Sequence, residues 1–441
     1  MANSDELTQV GDTASQRCET CGATRHPIAY VDGSMFDDAF LEHLRSEGDA
    51  EADEHMAAYF ERLNPGDDPD LARALRRHAP HSEGSAKTLD DFTMERPALP
   101  SWITENPDLI REGQSVFLRY VPQSGMSLWL ASIPSGYAGA RDVKALAGTG
   151  QLKRYPERRF LETGQFVLDE MINHALEPGG IGYEDARHVR LMHALVRYML
   201  CHESDELVGM DDGTPVAKWD VDRNGVPLNQ LGLLATMFTF SVVGLESLEK
   251  LGIEVTKREA EAYTFLWSAV GHLMGIREGL LPLNVADSRQ VWESIKRREY
   301  STSKEGRELT LAAIDQMKKM IPGRIGDSLA VSGMRFLLGE DTSDLLGAPP
   351  ADWTRHPFVS SELFGGIFTL VNRVPVGRQL SKWVGYRIFK EFLETSRGED
   401  RDGLFEVPEE LDRLLGAKRP SWRTRMKPSI PRRAASASNR G

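Results

Sequence analysis

One histidine in this chain stands where a ligand would be placed. His193 lies in HVRLMHALVR (188–197), and the residues four before, three after and seven after it are Val189, Val196 and Leu200. At helical spacing these put the imidazole on an apolar stripe that faces an interior. Arg190 and Arg197 flank it at i−3 and i+4, close enough to meet the carboxylates of a cofactor. A neutral imidazole in such a shell can serve as the proximal ligand of haem iron, with apolar walls leaving the opposite face to dioxygen rather than water. The same placement suits a core histidine bonded to a backbone carbonyl, and the helix alone leaves both readings open. His188, on another face, is the fallback ligand.

The preceding segment carries the polar groups such a pocket would need. Arg159, Thr163, Phe166 and Glu170 fall at i, i+4, i+7 and i+11 along one side of RRFLETGQFVLDE. A guanidinium and a hydroxyl one turn apart can hydrogen-bond dioxygen or a developing oxyanion, with Glu162 beside them. They can equally cap a carboxylate and back-bond to the helix. Further on, PLNQLGLLATMFTFSVVGLESL opens with Pro227 and Asn229, the latter a candidate cofactor contact. Met237, Phe238 and Phe240 suit either a hydrocarbon channel or plain core packing. His272 is a second, weaker ligand candidate. Cys18, Cys21 and His26 in CETCGATRH are half of a zinc site without the second half.

The elements that hold these residues read as helices. From Trp102 to about Pro349, amphipathic segments follow one another between Gly, Pro and Asp-Gly breaks, and strand-like alternation is almost absent, which predicts an all-α fold. The predicted helices include 157–175, 183–201, 229–251 and 257–274, with two more C-terminal ones near 360–372 and 376–394. The organisation predicted is an acidic, helical, partly mobile N-terminal extension (1–95), one large helical domain (96–416) and a basic disordered tail (417–441).

Composition narrows the function. The chain has 441 residues, 40% hydrophobic and 27% charged, with a formal net charge of −13. An acidic body argues against nucleic acid as a partner. HExxH, GxSxG, P-loop and GxGxxG motifs are missing, as are the paired Glu-x-x-His turns of a di-iron bundle. Three cysteines and no secretory pattern lead to the cytoplasm as the expected location. No stretch is read as a membrane span. Lys418 to Arg440 carries eight basic and no acidic residues, which allows peripheral contact with a membrane or another acidic surface.

Several strings together resemble the rubber oxygenase (latex clearing protein) catalytic-domain family, which includes the endoplasmic-reticulum oxygenase of mycophenolic acid biosynthesis. They are SIPSGYAGARDV (132–143), TGQL (149–152), RRFLETGQFVLDEM (158–171), HVRLMHALVR (188–197), PLNQ (227–230), the segment 263–282, RFLLG (335–339) and LLGAP (345–349), spanning 113–349. The resemblance implies a globin-like helical core, b-type haem, and dioxygen-dependent cleavage of carbon–carbon double bonds in isoprenoid chains. On matching positions His193 is the implied iron ligand, with Arg159 and Thr163 at the haem pocket. Rubber oxygenases carry a lysine just before that threonine, where this chain has Glu162. The function expected is therefore a haem b-dependent oxygenase acting with dioxygen on an apolar, unsaturated isoprenoid or lipid-like molecule. The alternative is a non-catalytic helical haem carrier, sensor or scaffold.

Overall fold

The structure, a computed structural model, describes residues 36–62, 92, 97–148, 156–202, 219–282, 284–320, 324–351 and 369–397. Among them every regular element is helical, and the sole β feature is an isolated antiparallel bridge between Gly139 and Tyr300. The elements are α1 (Asp38–Arg45), α2 (Ala50–Arg62), α3 (Pro107–Arg119), α4 (Val121–Ser127), α5 (Ile133–Tyr137), α6 (Val143–Gly148), α7 (Pro156–Glu170) and α8 (Ile181–His202). They continue as α9 (Gln230–Lys250), α10 (Lys257–Leu273), α11 (Val285–Glu299), α12 (Lys304–Met320), α13 (Arg324–Leu338), α14 (Glu340–Leu345) and α15 (Pro375–Arg397). A π-helical turn, Leu128–Ser132, joins α4 to α5. The CxxC with His26, the predicted helix near 360–372 and the basic tail lie wholly or almost wholly outside the described residues.

The centre of the molecule is α9. Leu231, Leu234 and Phe238 are fully buried, and Asn229 starts the helix by accepting the Gly232 amide on its side chain at 2.9 Å. By length and composition α9 could cross a membrane, a property not read from the sequence. Here it is instead the core helix on which α1, α4, α5, α10 and α11 pack. Next to it, α10 begins with a reciprocal capping box between Thr256 and Glu259 and packs closely along α3. The approach depends on Gly113, where a Cβ would lie 2.5 Å from the Ala262 carbonyl oxygen.

Two helices of the expected N-terminal extension are packed into this body. α1 buries Leu41 and Leu44 in the main core, and its Arg45 side chain, 1% exposed, pairs with buried Glu299 of α11 and with Asp142. α2 covers one face of α8 through Ala52, Met56 and Tyr59 against Leu191, Leu195 and Met199. α7 ends at Glu170, short of the predicted residue 175, because the chain turns there and His174 takes a left-handed φ of 64°.

Candidate functional site

α7 and α8 form a hairpin that brings the two sequence-predicted clusters together. Its closed end is defined by Tyr183 donating its amide to the Ala175 carbonyl at 2.8 Å and by Glu170 lying against Gly182. A Cβ on Gly182 would sit 2.6 Å from Glu170 Oε2, so the helices touch where they start and finish. From that contact the same-face series runs back through Phe166, Thr163 and Arg159 on α7. On α8 it runs forward through Ala186 and Val189 to His193. His193 is thus set opposite the early turns of α7.

Thr163 and His193 are half-buried and Glu162 is buried, 4% exposed. Arg159 lies in the first turns of α7. The other side of α7 is fixed by packing: Trp129 stacks on Phe160 at 5.1 Å, and a Cβ on Gly164 would be 2.9 Å from Trp129 and from Leu393. Gly164 therefore lets α7 sit close to α15 and the π-helical turn.

The arginines around His193 do something the sequence reading did not foresee. Arg190 holds Asp49 through both guanidinium and carboxylate faces, Nε to Oδ2 at 2.5 Å and Nη2 to Oδ1 at 2.7 Å, and reaches Glu51 at 2.7 Å. Arg197 donates to Asp53 at 2.7 Å and to the Leu228 carbonyl at 2.9 Å. Burial pushes the Asp53 carboxyl above its ordinary value, more than Arg197 lowers it. Both guanidinium groups, assigned from sequence to a cofactor, clamp the start of α2 across α8 on either side of His193. Asn229, assigned likewise, uses its oxygen to cap α9 and its nitrogen to donate to the Val226 carbonyl at 2.8 Å.

His188 is buried on a different face. It shares the stripe of Leu191 and Leu195 that packs against α2, and so points away from the α7 series. His272, beside Glu278 at 3.6 Å, lines a wide cleft with Asp49, Arg187 and Arg190, and burial lowers its pKa.

Behind α7 a small void of about 10 Å³, room for about one water, reaches Val167 and is lined by Phe117, Ser127, Ser132, Phe240, Tyr263 and Trp267. Phe240 stacks on Trp267 at 4.9 Å. Of the residues that suited a hydrocarbon channel, Phe240 lines this cavity, while Phe238 packs towards Trp292 and Met237 towards Gly271. Burial drives the Tyr263 phenol far above its ordinary pKa, so it remains a neutral donor, bonded to the Phe240 carbonyl. Ser127 Oγ is buried with no partner in the protein. A void of this size beside the Ser127 hydroxyl has room for a water, not for a substrate. Nothing in the sequence spacing marked Ser127 or Tyr263, because they come from α4 and α10.

The haem implied by the resemblance can be tested against these donors. Among the described residues no group of three or more His, Cys, Asp and Glu side chains converges as a metal site. What α8 offers is one half-buried imidazole at apolar spacing, a donor that would hold the iron of a haem. His193 fits that group; Arg190 and Arg197, already paired, fit the role of holding α2 beside it.

Comparison with known proteins agrees with this architecture. A solved structure of the latex clearing protein LCP in the closed state superposes with a TM-score of 0.55 at 18% identity, covering 80% of this chain and 91% of that one. The rubber oxygenase of Streptomyces sp. (strain K30) is 23% identical over 314 residues, 68% of this chain and 70% of the relative. Residues 118–371, more than half of the chain and including both α7 and α8, match the model of one family. By that match the chain belongs to the catalytic-domain family described as ER-bound oxygenase mpaB/B'/Rubber oxygenase.

Proposed function

We propose that this protein is a haem b-dependent oxygenase that uses dioxygen to attack an apolar, unsaturated isoprenoid or lipid-like substrate in the cytoplasm. The observation that carries the reading is the α7–α8 hairpin, which sets the apolar face of His193 opposite the turns of Arg159 and Thr163 within the family's catalytic region. His193 would hold the haem iron through a ring nitrogen. A bound haem supplies the oxidising centre for dioxygen-dependent cleavage of a carbon–carbon double bond.

The chain's own groups do the rest. The Thr163 hydroxyl and the Arg159 guanidinium would be the hydrogen-bond donors nearest to dioxygen if haem is held on His193, an effect strengthened where water is excluded. Glu162, buried beside them, can take up or return a proton at its carboxylate. The clamp of Arg190 and Arg197 on α2 keeps α8 from shifting, so the imidazole is held in one orientation.

The test is the oxidised and dithionite-reduced visible spectrum of the purified protein with a pyridine haemochrome assay, followed by oxygen consumption with unsaturated lipids. A stoichiometric b-haem signal that disappears in His193→Ala supports the assignment, and a His193→Ala protein with full haem and a parental spectrum overturns it. Haem binding without turnover on any unsaturated lipid would make the protein a carrier or sensor.

A further inference from the structure

The most conspicuous surface of this molecule is the outer face of α15. Val376, Leu380, Trp383, Val384 and Ile388 follow at i, i+4, i+7, i+8 and i+12, and Val376, Trp383 and Leu380 are 76%, 60% and 57% exposed. The stripe continues into the preceding turn through Leu370 and Val374. Large apolar side chains exposed as one continuous stripe mark a surface that meets another phase or partner. The opposite face of the same helix is conventional core: Phe389 packs on Phe117 at 5.7 Å and Leu393 is fully buried against Gly164.

Charge identifies the occupant. Arg373, Arg378, Arg387 and Lys390 are exposed along this helix and the turn before it, against exposed Glu391 and Glu394; Arg373 pairs with Glu254 at 2.9 Å and Lys390 approaches Glu394 at 3.9 Å, which leaves cations in excess here on a chain whose net charge is −13. The Arg387 guanidinium lies over the Trp383 ring at 5.5 Å, and Lys390 over Tyr386 at 6.0 Å, so the cations rise beside the aromatic rings of the stripe. Long basic side chains flanking aliphatic residues and a tryptophan are the pattern of a helix lying in a lipid interface, with its cations at the headgroups. The face is also the convex side of a single helix, and a lipid surface requires no complementary groove.

We propose that the outer face of α15 docks this protein onto an anionic lipid surface. Trp383, Leu380 and their neighbours enter the acyl boundary, and Arg387, with Lys390 released from Glu394, meets the lipid phosphates. The inner face of α15 lies on α7 at Gly164, the residue after Thr163, so docking brings the candidate site within one helix layer of the lipid. Lipid docking itself does not depend on the oxygenase reading. If that reading holds, the membrane is also the phase in which an apolar substrate is concentrated.

The experiment is co-sedimentation of the full chain with phosphatidylcholine vesicles, with and without phosphatidylglycerol, at low and high salt. The expected result is binding that needs the anionic lipid, weakens with salt, and falls roughly tenfold or more in the Leu380→Glu/Trp383→Glu double variant. Vesicles of brominated phosphatidylcholine with phosphatidylglycerol should quench tryptophan emission in the parent more than in Trp383→Phe, a variant that keeps the apolar face. Circular dichroism and the haem spectrum of the double variant check that fold and cofactor are intact. Absence of binding by the full chain overturns the proposal. So does binding that survives the double substitution but is lost when residues 418–441 are removed, which would assign it to the basic tail. A parent dimer that the double substitution makes monomeric would assign the face to a second copy of the chain. Binding that appears only after residues 398–441 are removed would show that the chain's own acidic segment covers it.

Discussion

Arg190 grips Asp49 with two parallel hydrogen bonds of 2.5 and 2.7 Å, and the pair is only 11% and 4% exposed. It joins the start of α2 to α8 one turn before His193, across 141 residues of sequence. Removing Arg190 leaves the buried Asp49 charge without its cation, whereas removing Asp49 leaves Arg190 still held by Glu51 at 2.7 Å. Arg190→Ala should therefore destabilise the fold by about 3 kcal/mol in urea denaturation, and Asp49→Ala by less. The double variant should lose clearly less than the sum; simple additivity would show that the two side chains act separately.

Gly275 is the hinge-pin of the same contact. It has φ +87°, and a Cβ there would lie 2.1 Å from Asp49 Oδ2 and 2.7 Å from Arg190 Nε. Gly275→Ala should therefore destabilise by roughly 2–4 kcal/mol, combining the left-handed strain with loss of the pair. In an Asp49→Ala background the cost should fall but stay above the left-handed strain of about 1 kcal/mol, because Arg190 Nε still meets the added Cβ, which thermal denaturation can resolve.

Glu259 predicts a pH dependence. Burial opposes its ionisation, but the Thr256 amide and hydroxyl and the Arg119 guanidinium outweigh burial and hold the carboxyl below the ordinary glutamate value. A lowered folded pKa gives stability that is present above the unfolded value of about 4.3 and is lost as pH falls through the folded one. Glu259→Gln should destabilise by about 2 kcal/mol at pH ~7, the worth of a charge-assisted bond, and by much less at pH ~3. An equal loss at both pH values would mean the carboxylate charge is not what stabilises the start of α10.

Histidine replacement separates the two ligand candidates. His188 sits on the α2 side of α8 and His193 on the α7 side. His188→Ala should fold less stably yet keep its haem, whereas His193→Ala should lose the pigment. The reverse pattern would assign the iron to His188.

Thr163 and Glu162 should act on turnover rather than on cofactor retention. Thr163→Val keeps the shape and removes the hydroxyl, so the haem spectrum should persist while oxygen consumption falls about 10²-fold, as for the loss of one oriented donor. Glu162→Gln should alter the pH profile of turnover if its carboxylate carries a proton. Parental rates in both variants would remove the α7 turn from the chemistry.

Much of the helical content was legible because helical periodicity is local: α9 and α10 begin and end within a residue or two of where the apolar pattern puts them. The apolar setting of His193 was legible for the same reason, since i±3 and i±4 neighbours follow from the chain alone. The partners of Arg190 and Arg197 were not. Asp49 and Asp53 lie in a segment that reads as an acidic extension, and only the docking of α2 onto α8 brings those carboxylates to the guanidinium groups. Asn229 was legible as a polar residue but not as a cap in full use, because that depends on where Val226 and Gly232 turn. The cavity residues Ser127, Tyr263 and Trp267, and the choice of α9 as a buried core helix rather than a span, were likewise fixed by how separate helices pack. Sequence by itself determined which faces are apolar, because that is a matter of spacing. Tertiary structure decided which charges are paired and which apolar face, that of α15, is left in the open, because pairing and burial are set by neighbours distant in the chain.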